Sequence, residues 1–200
     1  MIIIKDLIQG SEAWFAEKIG KPSASNASMI ITNEGKPSKQ RDGYLYTLAA
    51  ERLTGKQENG YKNAAMEGGQ EREDESRNMF SLIHNVDIEK VGVIYKDDKK
   101  RFLCSPDRIC KNFGLELKNP LGKTQVKYLL DCGLPSDYFG QVQFSLYVTG
   151  FPKWYFMSFV PSMKPLILEV RPDVVYQKSL AKELDAFCDE LDKTVERIRK

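Results

Sequence analysis

Several things this chain has little of narrow what it can be. It contains no run of about 18 apolar residues, so no bilayer-spanning helix is expected. The opening Met1-Ile2-Ile3-Ile4-Lys5-Asp6 is too short and too soon charged to read as a signal peptide. The four cysteines, Cys104, Cys110, Cys132 and Cys188, form no CxxC pair and match the spacing of neither a zinc site nor a disulfide framework. They read as reduced thiols of a cytoplasmic protein, with Cys104 and Cys188 in the core. His84 is the only histidine, which argues against a Ser-His-Asp hydrolase and reads more simply as an exposed residue at a helix end. No internal repeat or low-complexity tract is present. The net charge is only +2, less basic than a chain that coats nucleic acid, yet compatible with acidic ligands that offset basic contacts.

What is present suits one domain over residues 1–200: 42% of the residues are apolar, enough for a real core. Ser11 reads as the N-cap of a short helix carrying Trp14, Phe15 and Ile19 and closed by Gly20. A second short helix is expected over 23–31, then a loop over 32–38. Tyr44, Leu45, Leu48, Ala49 and Leu53 follow at helical spacing until Gly55 stops them, and 55–63 reads as a loop. A long acidic helix is expected over 66–83. The period then changes. Strands are expected over 86–95, 101–104 and 114–118, with a hairpin turn at 97–100 and Asn119-Pro120 ending the third. Helices over 123–131 and 137–149, the latter capped by Ser136, precede strands over 153–160 and 166–170. Leu180, Leu184, Phe187, Leu191, Val195 and Ile198 form the apolar stripe of a last helix. Helices first, then a mixed sheet flanked by helices, define an α/β or α+β fold.

The densest chemistry lies between Ser105 and Lys118. Asp107 sits in a bend after a strand, and Glu116-Leu117-Lys118 follows nine residues later. Alternation on a strand sends Glu116 and Lys118 to one face and Leu115 and Leu117 to the core. If Asp107 ends the neighbouring strand, two carboxylates and an ammonium converge. Carboxylate oxygens suit Mg²⁺ or Mn²⁺, and two adjacent carboxylates repel unless a cation joins them. Such a centre suits phosphodiester hydrolysis: the ion acidifies water and neutralises phosphate charge, while the lysine orients the water or holds a phosphate oxygen. The same residues also fit a simpler account, since Ser-Pro-Asp is a common turn and Glu-x-Lys on a strand is often a solvated face.

Three further segments stand in order around this one. Gln9-Gly10-Ser11-Glu12-Ala13-Trp14, Lys18-Ile19-Gly20 and Ser23-Ala24-Ser25 lie near the start. Gly69-Gln70-Glu71-Arg72-Glu73 with Ser76-Arg77 lies in the middle. Tyr138-Phe139-Gly140-Gln141-Val142-Gln143, Thr149-Gly150 and Trp154-Tyr155-Phe156 come late. With Cys104-Ser105-Pro106-Asp107 and Gly114-Leu115-Glu116-Leu117-Lys118-Asn119-Pro120, the chain from about residue 9 to 160 resembles the phage lambda exonuclease or YqaJ-type viral recombinase family, within the PD-(D/E)XK nucleases.

The resemblance implies a restriction-endonuclease-like core with an N-terminal helical elaboration. It implies two Mg²⁺ ions per active site, with Mn²⁺ as a substitute, held by Asp107, Glu116, the Leu117 carbonyl and Glu73. Lys118 would be the catalytic lysine, and Gln141 would touch water or phosphate, with Tyr138 one turn earlier. Glu73 also fits an ordinary i,i+4 pair with Arg77, and Glu71 is the alternative if the register differs by two. Ser25, Ser105 and Lys18 would hold a 5′-terminal phosphate. Lys18 departs from the family's arginine and gives a point charge in place of a bidentate fork, with Lys21 as a helper. Trp14 reads as a packing residue, and Met66 falls where the family has an apolar wedge. The implied activity is 5′-to-3′ digestion of one strand of linear duplex DNA to mononucleotides, leaving a 3′ overhang. A ring-shaped homotrimer and a phage single-strand annealing protein are the implied partners. The alternatives are an endonuclease of the same fold, an iron–sulfur nuclease, for which the cysteine spacing is wrong, and a DNA-binding module that has lost the chemistry.

Overall fold

The computed structural model describes the backbone of residues 1–58 and 64–200 and the side chains of 1–58 and 73–200. The chain begins with a strand that the sequence did not announce, β1 (Ile2–Ile4). The helices α1 (Glu12–Lys18), α2 (Ala27–Ile30), α3 (Arg41–Thr54) and α4 (Ala64–His84) follow, with a 3-10 turn at Ala24–Asn26. Next come β2 (Val93–Tyr95), β3 (Leu103–Cys104), β4 (Arg108–Ile109) and β5 (Phe113–Lys118). Then α5 (Gly122–Asp131), α6 (Ser136–Thr149), β6 (Lys153–Ser158), β7 (Leu166–Val170) and α7 (Val174–Arg199) complete the chain.

The strands form two sheets. One is antiparallel, in the order β1-β2-β3; the other runs β4-β5-β6-β7, with only β5 and β6 parallel. Parallel neighbours need a long crossover, and α5 and α6 supply it. This topology lays α6 across the strands that carry the candidate chemistry. Gly114 is required in β5: a Cβ there would lie 2.2 Å from the buried Trp154 indole, its partner on β6. The α7 stripe packs beneath, with Phe187 stacked on Tyr44 of α3 at 5.7 Å.

Local signals account for most boundaries. Ser11 caps α1 through the Trp14 N–H, and Gly55, at φ +68°, closes α3 in the left-handed conformation that glycine adopts without strain. Cys104 and Cys188 are buried, as expected. Four expectations need correction. The strand foreseen over 86–95 is ordered as a strand only at Val93–Tyr95. Its first half is an extended stretch whose Glu89 bridges Ile109 while Val86 and Ile88 pack on the Phe80–Leu115 cluster, so the alternation was real but its cause was packing. Pro135, not Ser136, precedes the first turn of α6. Ile198 is 60% exposed, because α7 outruns the core at its last turn. His84 is half-buried, stacked on Phe80 at 4.4 Å. Among the described residues, no helix is long and apolar enough to cross a membrane.

Candidate active site

The antiparallel register of β4 and β5 pairs Ile109 with Gly114 and Arg108 with Leu115. One further step sets Asp107 opposite Glu116. The ladder ends there, and the Asp107 carboxylate takes over its last hydrogen bond, accepting from the Leu117 N–H at 2.6 Å. The N–H and C=O of one residue leave a strand on the same edge, so the Leu117 carbonyl opens on the Asp107 side as well. Leu115 and Leu117 are buried in the core beneath, as alternation requires.

Glu116 is 3% exposed, and one of its oxygens, Oε1, is shared by two donors. Lys118 Nζ forms an ion pair with it from the same strand face, and Gln141 Nε2 donates to it from α6 at 2.7 Å. The Lys118 ammonium also lies 5.1 Å from the ring centre of Tyr138, one turn before Gln141; that ring leans on Phe156 of β6. Burial and the neighbouring Glu116 push the Asp107 carboxyl up to about 7, against the pull of Lys118 and the Leu117 N–H. Burial lowers the Lys118 ammonium, but Glu116 and Asp107 outweigh it and hold the lysine protonated.

Glu73 reaches this centre from α4, with a partner that the sequence reading missed. Its carboxylate is paired with Arg108 Nη1, not with Arg77, which instead lies 3.7 Å from Asp74. Arg108 is 2% exposed, and its Nη1 also donates to the main-chain oxygen of Asp107. The signal was available: α4 carries more acids than its own Arg72 and Arg77 can balance, and Arg108 directly follows the candidate aspartate. The side chains of Met66 and Glu71 lie outside the described residues.

Two of the residues expected at a 5′-phosphate lie near this centre: Ser105 stands two residues before Asp107, and Ser25 shares a cleft with Gln141. A parallel bridge pairs Ser23 with Leu103, and Ser25 follows in the 3-10 turn. Ser25 Oγ lies 3.1 Å from Ser23 Oγ. Ser105 Oγ accepts from Trp14 Nε1 at 3.0 Å and donates to the Gly92 carbonyl, so its proton points inward. Lys18 Nζ sits 3.8 Å above the Trp14 ring. Burial lowers its ammonium to about 8, with Glu51 opposing the shift. Ser25 shares a cleft of about 740 Å³ with Gln141, whereas Lys18 lines an adjoining one of about 650 Å³ with Lys21; Lys39 and Gln40 border both.

The donors suit a hard divalent cation: two opposed carboxylates and a main-chain oxygen, with Asp107 destabilised as an anion until positive charge arrives. Among the described residues, no three carboxylate, thiol or imidazole groups form a ready-made ion cage.

An aspartate at the end of one strand, opposed to Glu-x-Lys on the next, in a mixed sheet flanked by helices, defines the PD-(D/E)XK fold. The backbone superposes on an alkaline exonuclease, LHK-Exo, from Laribacter hongkongensis with a TM-score of 0.84 and 26% identity, covering 94% of this chain and 96% of that one. The same figures hold for LHK-Exo in complex with dAMP. A phage related exonuclease from Haemophilus somnus 129PT shares the fold at a TM-score of 0.68 and 12% identity, over 89% of this chain and 96% of that one. Direct comparison with curated protein sequences returns no match. Residues 13–152 match the model of the YqaJ-like viral recombinase domain, and the chain belongs to that family.

Proposed function

We propose that the protein is a Mg²⁺-dependent exonuclease that removes nucleotides from the 5′-ended strand of linear duplex DNA and leaves a 3′ overhang for strand annealing. The observation that carries this reading is the register that sets Asp107 opposite Glu116, with Lys118 and Gln141 both on the Glu116 carboxylate. Similarity to the Laribacter alkaline exonuclease supports it. The complex of that enzyme with dAMP, a deoxynucleoside monophosphate, supports mononucleotides as the product class.

Asp107, Glu116 and the Leu117 carbonyl would hold the first ion, and Glu73 would serve the second. Bound there, the ions would acidify the attacking water and neutralise charge on the scissile phosphate. The chain's own residues do the rest. Lys118, kept protonated by its two acids, donates toward the water or a phosphate oxygen. Gln141 fixes the Glu116 carboxylate and lines the cleft through which Ser25 meets the strand end. Lys18, Ser25 and Ser105 receive the 5′-phosphate; Ser105 first turns its hydroxyl away from Gly92. Tyr138 packs beside Lys118, and Met66 is assigned the wedge that parts the terminal base pair.

The working form is a homotrimeric ring closed around the duplex, acting in the cytoplasm with a single-strand annealing protein. The test is linear duplex labelled separately at each 5′ end and in the interior, with Mg²⁺, with Mn²⁺ and with chelator, beside closed circular DNA. Metal-dependent release of 5′-terminal label as mononucleotide, with the circle untouched, is expected. Cutting of the circle would make the protein an endonuclease, and inertness on every substrate would leave only a DNA-binding module.

A further inference from the structure

We infer that Arg108 is a resident cation of the carboxylate cluster, and that it limits the DNA-free protein to one divalent ion, admitting a second only with a DNA phosphate. This rests on the metal-dependent reading of the same site. Arg108 opens β4 directly after Asp107 and stands opposite Leu115, so its side chain leaves the sheet on the buried face that α4 covers. On the Arg108 face, α4 brings Glu73 into an ion pair with Nη1, while Asp74 lies 3.7 Å from Nη2 and is mostly exposed. The same Nη1 donates to the Asp107 main-chain oxygen, which ties the guanidinium to the residue expected to hold the first ion.

A guanidinium does not lose its proton in a protein, so this charge is permanent. At 2% exposure it is tolerated only because charge compensates it nearby. Its Nε and Nη2 have no hydrogen-bond partner among the described residues, so Glu73 and the other carboxylates of the cluster do that work. Asp107, Glu116, Glu73 and the more exposed Asp74 supply four negative charges, and Lys118 and Arg108 return two. One divalent ion cancels the remaining charge. A second must then enter with no net attraction left, and toward a Glu73 already engaged by Arg108. A phosphodiester restores the balance by bringing its own negative oxygens.

The experiment counts Mn²⁺ bound per chain from the paramagnetic resonance of the free ion. It uses the full-length protein, with and without a linear duplex whose terminal linkages are phosphorothioates that resist cleavage. The native protein should bind one ion alone and two with the duplex. Arg108→Gln should bind two without DNA, its second ion held about tenfold or more tightly than in the native protein. Arg108→Lys, which keeps the charge, should stay at one. A purely structural arginine would not change the count in this way. Two ions on the DNA-free native protein, or one on a folded Arg108→Gln, overturns the inference. If Arg108→Gln does not fold by circular dichroism, the native counts with and without DNA decide alone. No ion bound in either state would instead remove the metal-dependent reading from beneath it.

Discussion

Gln141 reaches from α6 to donate its amide hydrogen to the Glu116 carboxylate at 2.7 Å, on the oxygen that Lys118 also holds. Groups that orient a metal-binding carboxylate cost about 10–100-fold in metal affinity or activity when removed. Gln141→Ala should therefore lower the single-turnover rate by about that factor, partly recovered at higher Mg²⁺, with duplex affinity unchanged. Gln141→Glu should be worse, because it sets a further carboxylate against Glu116. A Gln141→Ala enzyme of native rate at limiting Mg²⁺ would show that the contact only packs the helix.

Lys118 is the group whose loss should separate chemistry from binding. It is held charged between Glu116 and Asp107, and in the proposed reaction it would meet the water and the developing phosphate charge, not the duplex flanks. Losing such a donor costs about 10²–10³ in rate. Lys118→Ala should keep no more than about 1% of the nucleotide release, the remainder of a roughly 10²-fold loss, while gel-shift affinity for a duplex end in Ca²⁺ stays close to native. Parallel loss of binding and rate would move Lys118 from the chemistry to the DNA grip.

The site was legible in the sequence to a definite depth. Asp107, Glu116 and Lys118 could be read from spacing, because strand alternation fixes the face of each side chain once the strand is recognised. What chain order cannot give is the partner that arrives from a distant element. Glu73 looked like a helical neighbour of Arg77, yet it answers Arg108, because pairing on a buried face is decided by packing across elements. The helices were read well, since α3 and α7 carry long stripes and clear stop signals. Strands of two or three residues, such as β1 and β4, are too short to show a period and were missed; within the expected 86–95 strand only Val93–Tyr95 pairs as a strand, and Val86 and Ile88 alternate because they pack.

Gly114 offers a test of the scaffold apart from the chemistry. The Trp154 indole fills the place of the absent side chain, so a methyl group there must displace a buried ring from the middle of the sheet. Overpacking of this kind costs about 1–3 kcal/mol. Gly114→Ala should lower the melting temperature by several degrees, roughly as expected for that cost. It should also lower activity through β5, which carries Glu116 and Lys118. A Gly114→Ala protein of native melting temperature would mean that the indole has room to move.

The last prediction concerns pH and the 5′ end. Burial holds Lys18 at about 8 in the free protein, below the ordinary lysine range. Its ammonium is therefore present below pH 8 and lost as pH rises through that value. The sign for stability is the reverse: between about 8 and the unfolded lysine range near 10.4, the unfolded chain binds the extra proton, so this residue favours folding more as pH rises. For DNA, the preference for 5′-phosphate over 5′-hydroxyl ends should be clear at pH 7 and shrink above pH 8. The midpoint should move upward once phosphate is bound, because the dianion holds the proton on. Lys18→Arg should carry the preference unchanged to pH 9.5, since guanidinium does not titrate there, and Lys18→Met should abolish it at every pH. The measurement is the ratio of initial rates on the two ends across this range. A ratio of one at pH 7 would remove Lys18, Ser25 and Ser105 from phosphate recognition, whereas a ratio constant with pH would mean that another cation supplies the charge.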